Sequence, residues 1–194
     1  STSTDADAAI DLTNVSGLTS IEATFVGTAG DQIELVKAPQ DVTVKVTSTS
    51  TGGHVLSDAD NLVMTMANST ASGTKASIEV SAFHDIAGTD ADILNVDGVG
   101  IEDLTINNKS GASDNGFNLA GVTADTDLTT TLTISGKGGE LLGLGTNFTN
   151  INGAASTGTI EITAANRTNT AMTFTGGTGG DNVAMESAND VLDA

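Results

Sequence analysis

The sequence feature that most constrains the fold is a pair of apolar residues, two positions apart, that recurs at a fixed interval. The pair occurs as Leu104 and Ile106, as Leu132 and Ile134, and as Ile160 and Ile162. The three pairs are evenly spaced along the chain, and intervals of roughly 28 residues are typical of repeats that stack on one another. Further apolar clusters lie between the pairs, so each repeat unit is predicted to carry at least two strands.

Apolar and polar residues also alternate along many short spans of the chain. Such spans are 42–46, 62–66, 78–80, 104–106, 132–134, 160–162 and 172–174. A period of two is the signature of half-buried strands, and Gly, Asn, Asp or Ser follows most of the spans within a few residues. No helical period is sustained anywhere. The predicted fold class is therefore all-β.

Repeat spacing and strand pattern together favour a parallel β-solenoid, or β-helix, with Gly- and Asp-rich turns. In this architecture each coil buries apolar residues inside and stacks on its neighbours, so its corners require small residues. The 23 glycines of the chain fit that requirement. The alternative is a β-sandwich, which also has short strands at regular spacing. An immunoglobulin-like sandwich is the less favoured of the two because the chain contains no Cys and no Trp.

Three regions are predicted along the chain. Residues 1–53 are expected to form N-terminal β coils, residues 54–175 the solenoid repeats with a period of roughly 28 residues, and residues 176–194 turns that bind calcium. The first residue is Ser1 and no terminating signal is visible at the end, so we expect the chain to be a fragment of a longer protein.

Charge excludes some functions and favours others. Six Lys and Arg against 25 Asp and Glu give a formal net charge of −19, which repels nucleic acid and anionic membrane surfaces. No apolar run is long enough to span a bilayer, so membrane insertion is not expected. Divalent cations relieve the repulsion between carboxylates, and 18 of the acids are Asp, whose short side chain suits cation sites on loops. Ca²⁺ is therefore the expected cofactor.

The most specific motif is the segment 176–184, which reads GGTGGDNVA and matches every position of the nonapeptide G-G-x-G-x-D-x-U-x. In this motif the glycine turn exposes backbone carbonyls and the aspartate supplies a carboxylate, with Ca²⁺ between successive turns. Asp181 holds the aspartate position, and Asp190 keeps the same register in the next nonapeptide. The predicted calcium ligands are Asp181 and Asp190, with the carbonyls around Gly177 and Gly179. Both acids could equally be solvated corner residues.

Weaker echoes of the motif occur at two other places. Residues 87–94 retain Gly, Asp and an apolar residue in register and add Asp90 and Asp92 to the candidate ligands, and residues 27–33 form a similar segment. The two histidines, His54 and His84, lack the closely spaced partners of a zinc site.

Nothing in the chain favours an enzyme. A G-x-S-x-G motif is absent and a Cys nucleophile is impossible, so covalent hydrolysis lacks a recognisable nucleophile. Paired carboxylates could cleave a glycosidic bond. The chain, however, has no Trp or Tyr to line a sugar cleft and only six basic residues. A non-enzymatic protein is therefore predicted, with a β-helix that cleaves polysaccharide as the least favoured alternative.

Together the nonapeptide 176–184, the segments 17–22 and 100–106, and the composition rich in Thr, Ala, Gly and Asn resemble the repeat region of RTX-type surface-layer (S-layer) proteins of Gram-negative bacteria. The resemblance implies a calcium-dependent β-solenoid that is secreted by a type I route and self-associates in a lattice on the cell surface. Cell-surface polysaccharide is a further candidate partner. The alternative within this class is a repeat module of a large RTX adhesin or biofilm matrix protein.

Overall fold

Nearly all the regular structure of this chain is β. The computed structural model describes residues 8–25, 31–48, 60–67, 73–82, 93–110, 115–123, 130–144, 148–167 and 171–193. Their regular elements are 17 strands and one short 3-10 helix, Ala164–Asn166. No helix in these ranges is long and apolar enough to cross a membrane. The prediction of an all-β chain is confirmed.

The strands, numbered in chain order, form two sheets. Sheet A contains β2 (Ser20–Phe25), β4 (Thr43–Ser48), β6 (Lys75–Ala82), β8 (Asp103–Asn108), β11 (Thr130–Gly136), β13 (Phe148–Ser156), β15 (Thr173–Thr175) and β17 (Val191–Asp193). Sheet B contains β1 (Ala8–Asp11), β3 (Gln32–Ala38), β5 (Asp60–Met66), β7 (Ile93–Val99), β9 (Gly116–Asn118), β10 (Val122–Thr123), β12 (Gly139–Leu142), β14 (Ile160–Ile162) and β16 (Asn182–Val183).

Apart from β9 and β10, which follow one another in sheet B, the strands alternate between the two sheets, and all the strand pairs formed by the described residues are parallel. Except for β7 and β10, which pair with each other, and for the strands at the ends of the sheets, each strand pairs with one strand of the coil before and one of the coil after it, as β8 does with β6 and β11. Neighbouring strands therefore come from successive turns of one superhelix. The predicted parallel β-solenoid is confirmed, and the sandwich of antiparallel sheets is excluded.

The core is built from inward-facing columns that run through successive coils. One column of sheet A contains Ala76, Leu104, Leu132, Ile151, Phe174 and Leu192 in register. The first five of these residues are at most 5% exposed, and residues on either side of them along each strand face outward. Period-two alternation produces this arrangement directly, because every second side chain of a strand points to the same face.

The spacing of the apolar pairs describes only part of the solenoid. Leu104 pairs with Leu132 in sheet A, as the spacing predicts. The third pair, which includes Ile160, lies in β14 of sheet B and not on the same column. Its expected place over Leu132 is taken by Ile151, which comes earlier in the chain. Extending the period to the third pair was therefore wrong, because the coil becomes shorter after β11.

The coils stay shorter than the coil from Leu104 to Leu132 up to the C-terminal end of the described chain. Phe174 pairs with Leu192, and the step between these two residues is the length of two nonapeptides. The strands β14 to β17 are only two or three residues long, whereas β3, β5, β7 and β11 each have seven. The coils that contain β3, β5, β7 and β11 are therefore wide along at least one sheet, although β9 and β12 of sheet B are short, and the coils from β14 onward are narrow in both sheets.

Both sheets continue across the predicted boundaries at residues 53 and 175. Across the first boundary, β3 pairs with β5 and β4 pairs with β6. Across the second, β14 pairs with β16 and β15 pairs with β17. The three predicted regions therefore share one continuous stack of coils.

Candidate metal-binding turns

The glycines of the nonapeptide let its turn lie directly on the turn of the coil below. A Cβ atom at Gly177 would collide with the carbonyl oxygen of Ser156, and one at Gly179 would collide with the carbonyl oxygen of Gly158. The amide of Thr178 donates to the Ser156 oxygen at 3.0 Å and fixes the contact. Neither glycine has a positive φ, so close approach of two backbones is what requires glycine here.

Asp181 stands at the end of this turn, one residue before β16. Its Oδ1 accepts the backbone N–H of Ile160 at 2.9 Å, and its Oδ2 accepts the N–H of Gly177 at 3.1 Å. One carboxylate thus joins its own turn to the start of β14 in the coil below. The residue is half-buried, and a carboxylate has about four lone-pair sites, so each oxygen of Asp181 retains capacity for a further partner.

Asp190 is positioned in the same way before β17 but is more deeply enclosed. Its Oδ1 accepts the N–H of Met172 at 2.8 Å, and its Oδ2 accepts the N–H of Ser187 at 2.9 Å. The guanidinium of Arg167 donates from Nη1 to Oδ2 at 2.9 Å and from Nη2 to Oδ1 at 3.0 Å. Nη1 also donates to the Ala184 oxygen at 2.7 Å. Arg167 therefore connects two consecutive turns to one carboxylate.

Both partners of this ion pair are buried. The side chains of Arg167 and Asp190 are 3% and 2% exposed. Hydrogen bonds from Arg167 hold the pKa of Asp190 well below its ordinary value, and those from the Ser187 and Met172 amides lower it further, against burial, which raises it. Because the pKa of Asp190 is lower in the folded state, its ionisation stabilises the fold at every pH above the ordinary pKa of Asp. This contribution is lost only as the pH falls through the folded pKa. The pair therefore stays charged through mild acid.

The two predicted ligands of the motif serve different strands. Asp181 precedes β16 of sheet B, and Asp190 precedes β17 of sheet A. Each carboxylate caps the N–H of a residue in the coil below, Ile160 in one case and Met172 in the other. No group of three or more His, Cys, Asp or Glu side chains lies within metal-binding distance in the described part of the chain. Calcium binding at these turns stays a prediction.

The other predicted ligands, Asp90 and Asp92, lie outside the described residues, as do His54 and His84. The echo at residues 27–33 is described from Asp31 onward. Asp31 is 9% exposed and its amide donates to Oδ1 of the fully buried Asp60 at 3.3 Å. Asp60 also accepts the Ser48 hydroxyl at 3.4 Å. Two acidic residues are therefore buried here, one directly before β3 and one at the start of β5.

Sequence reasoning missed Arg167, which is the most consequential residue of these turns. One feature of the sequence could have indicated its role: Arg167 is the only arginine of a strongly acidic chain. A single guanidinium, which can bind both oxygens of a carboxylate, is a natural partner for one buried acid. The sequence did not show the pairing because Arg167 and Asp190 are far apart along the chain.

The outer face of sheet B carries a second electrostatic feature. Glu140 of β12 pairs in register with Glu161 of β14, and the next strand places Asn182 in the same column. Burial raises the pKa of Glu140, and the neighbouring Glu161 carboxylate adds to the increase. Asn182 donates its side-chain amide to Glu161 at 3.4 Å. Like charges on adjacent strands are therefore tolerated here at a cost in stability.

Comparisons of this chain with protein-family models, with curated proteins and with solved structures returned no match.

Proposed function

We propose that this chain is a structural, non-enzymatic module of a secreted bacterial surface layer, whose copies self-assemble in a calcium-dependent lattice. The observation that carries the proposal is the parallel stack of coils, in which sheet A displays eight strands in one continuous series. Repeat stacks of this kind form extended surfaces whose side chains recur at the spacing of the strands. A surface of that form suits a protein that has to contact neighbours repeatedly.

The calcium part of the proposal rests on Asp181 and the carbonyls around Gly177 and Gly179. Asp181 keeps acceptor capacity beyond its two hydrogen bonds and stays half-buried at the narrow end of the solenoid. Asp190 is not included, because four N–H groups already point at its two oxygens. Calcium is a hard cation that prefers carboxylate and carbonyl oxygens, and it would offset part of the net charge of −19.

The experiment for calcium is thermal unfolding of three proteins, each with added calcium and with a chelator. The proteins are the wild type, Asp181→Asn, and the control Asp193→Asn, which removes an exposed carboxylate at the end of β17. At a hundredfold excess over its dissociation constant, calcium is expected to stabilise the wild type and the control by about 2.7 kcal/mol. Asp181→Asn should lose most of this gain. Equal responses of all three proteins, or no response, would remove the calcium site.

The experiment for assembly is negative-stain microscopy of the purified chain with and without calcium. Ordered sheets in calcium are expected from a surface-layer module. A protein that stays monomeric in calcium and binds a bacterial polysaccharide saturably would instead identify the adhesin or matrix alternative. The proposed location, the bacterial cell surface after type I secretion, is checked separately by labelling intact cells with an antibody against the chain.

A further inference from the structure

We propose that the outer face of sheet A is the contact between copies of this chain, and that it pairs with the same face of a second copy. The inference rests on the proposed function, since it names one of the contacts that a lattice of this chain would need; a two-fold contact alone gives a dimer. Three observations carry it: the charge of the face, the size of its side chains, and its area.

The outer face of sheet A is neutral although the chain is strongly acidic. Its outward-facing bases, including the two that directly follow β8 and β11, are Lys45, Lys75, Lys109 and Lys137. Its outward-facing acids are Glu22, Glu79, Asp103 and Asp193. The strands themselves carry two of these bases and all four acids, and the two lysines at the strand ends bring the described bases and acids of the face to equal numbers. Four of the six basic residues of the chain are therefore gathered on one face.

These charges alternate in sign between adjacent strands. Lys45 lies in register between Glu22 and Glu79, and Lys75 lies beside Asp103. Lys109 Nζ contacts Glu79 Oε2 at 2.7 Å. The face is thus internally compensated, and a second copy can approach it without like-charge repulsion.

Sheet B presents the opposite character. Its outward-facing acids are Asp11, Glu34, Asp97, Glu140 and Glu161. Lys37, exposed at the bulge of β3, is the one base on its described strands, so the face carries a net charge of −4 (1 − 5). Two such faces would repel each other. Pairing through sheet A leaves the acidic faces directed outward, where water and cations screen them.

The centre of the sheet A face consists of short polar side chains. One column of it runs in register through Thr43, Ser77, Thr105, Thr133, Asn152 and Thr175. Hydroxyl and amide groups of this length both donate and accept hydrogen bonds. They also allow the backbones of two sheets to come close, which suits a face that meets its own copy about a two-fold axis.

The area is sufficient for a specific but reversible contact. The six adjacent strands β2, β4, β6, β8, β11 and β13 each have at least six residues. At about 4.8 Å per strand and 3.3 Å per residue they cover roughly 29 Å by 20 Å. Both copies together would bury about 1,200 Å², near the lower limit of stable interfaces. Among its described strands, sheet B has only three of that length, so it offers no comparable area.

The first test adds charge to one face at a time. Ser77→Glu with Thr133→Glu places two carboxylates on the sheet A face, and the control Thr65→Glu with Thr123→Glu places two on the sheet B face at the same two-strand separation. Self-association is measured by sedimentation in calcium, after circular dichroism has established that each variant folds. The sheet A variant is expected to lose at least tenfold in association constant, and the control should change by less than threefold. Equal losses in both variants would overturn the inference.

The second test uses the absence of native cysteine. Ser77 and Thr105 lie in register on β6 and β8, the two central strands of the six-strand contact, so a two-fold contact brings them near the axis. Mild oxidation should cross-link Ser77→Cys or Thr105→Cys into dimers, and the sheet B control Val63→Cys should stay monomeric. Efficient dimers only from Val63→Cys would place the contact on sheet B. A wild type that never self-associates would contradict the proposed function itself, whereas assembly without sheet A cross-links would contradict this inference alone.

Discussion

The wide coils in the middle of the solenoid and the narrow coils at its C-terminal end are held together differently. Leu132 in β11 and Leu192 in β17 belong to the same inward column, yet Leu132 is fully buried and Leu192 is 56% exposed. The three-residue strands β14 and β15 still bury Ile160 and Phe174, because a further coil lies on them, whereas β17 is the last described strand of sheet A and pairs on one side only. Apolar burial therefore stabilises the wide coils and contributes little to the last one.

At the C-terminal end of the apolar core, polar contacts join the coils. Each of the last two turns ends in an aspartate that caps backbone N–H groups of its own turn and of the coil below. Arg167 adds a buried cation between the turns around Ala184 and Asp190. In the last coil, where Leu192 is exposed, the turn still lies on the coil below because the carboxylate of Asp190 accepts backbone N–H groups of both.

The largest expected effect comes from breaking the buried ion pair. Arg167→Met leaves Asp190 buried without its guanidinium and should destabilise the narrow coils by about 3–5 kcal/mol. Amides of residues 171–193 should then exchange hydrogen much faster, while those of the wide coils keep their protection. The control is Lys109→Met, which removes a pair whose lysine is 53% exposed, and it should cost at most about 1 kcal/mol. Equal losses of stability from both variants would contradict the conclusion that the buried pair of Arg167 and Asp190 holds the narrow coils together.

The second effect compares one substitution at two positions of the same column. Leu132→Ala opens a cavity in a wide coil and should cost about 2–5 kcal/mol in the free energy of unfolding. Leu192→Ala removes a side chain that is already more than half exposed, so less than about 1 kcal/mol is expected. Guanidinium titration followed by circular dichroism measures both. Similar losses at the two positions would mean that Leu192 is buried in solution to the same extent as Leu132.

The smallest effect concerns the acidic face of sheet B. Because the pKa of Glu140 is raised, its ionisation costs stability, and the cost is present above the folded pKa and disappears as the pH falls through it. Glu140→Gln should therefore stabilise the protein by about 0.2–1 kcal/mol at neutral pH and by nothing in acid. Glu34→Gln is the control, since its cross-strand neighbours are Ala9 and Val63. A gain for Glu140→Gln that persists in acid would contradict the electrostatic explanation.

Particular residues show how far the sequence could be interpreted. The alternation at residues 104–106 and 132–134 correctly predicted strands that pair in register. The motif at residues 176–184 correctly indicated a turn that needs glycine, and Asp181 does lie where it joins two turns. The pairing of Asp190 with Arg167, and the change of sheet at Ile160, were not predictable, because both depend on how much chain separates successive coils.

By itself the sequence determined that the chain is all-β and that its turns need small residues, and its repeat spacing favoured stacked parallel coils over a sandwich. The first two properties are local, since alternation and glycine content act within a few residues of each strand or turn. Only the tertiary structure decided which strands lie above one another, where the solenoid narrows, and which acid receives the single arginine. A change in loop length costs little free energy, so the longer coil from Leu104 to Leu132 and the shorter coil from Phe174 to Leu192 are both possible, and the packing of the whole stack selects between such lengths.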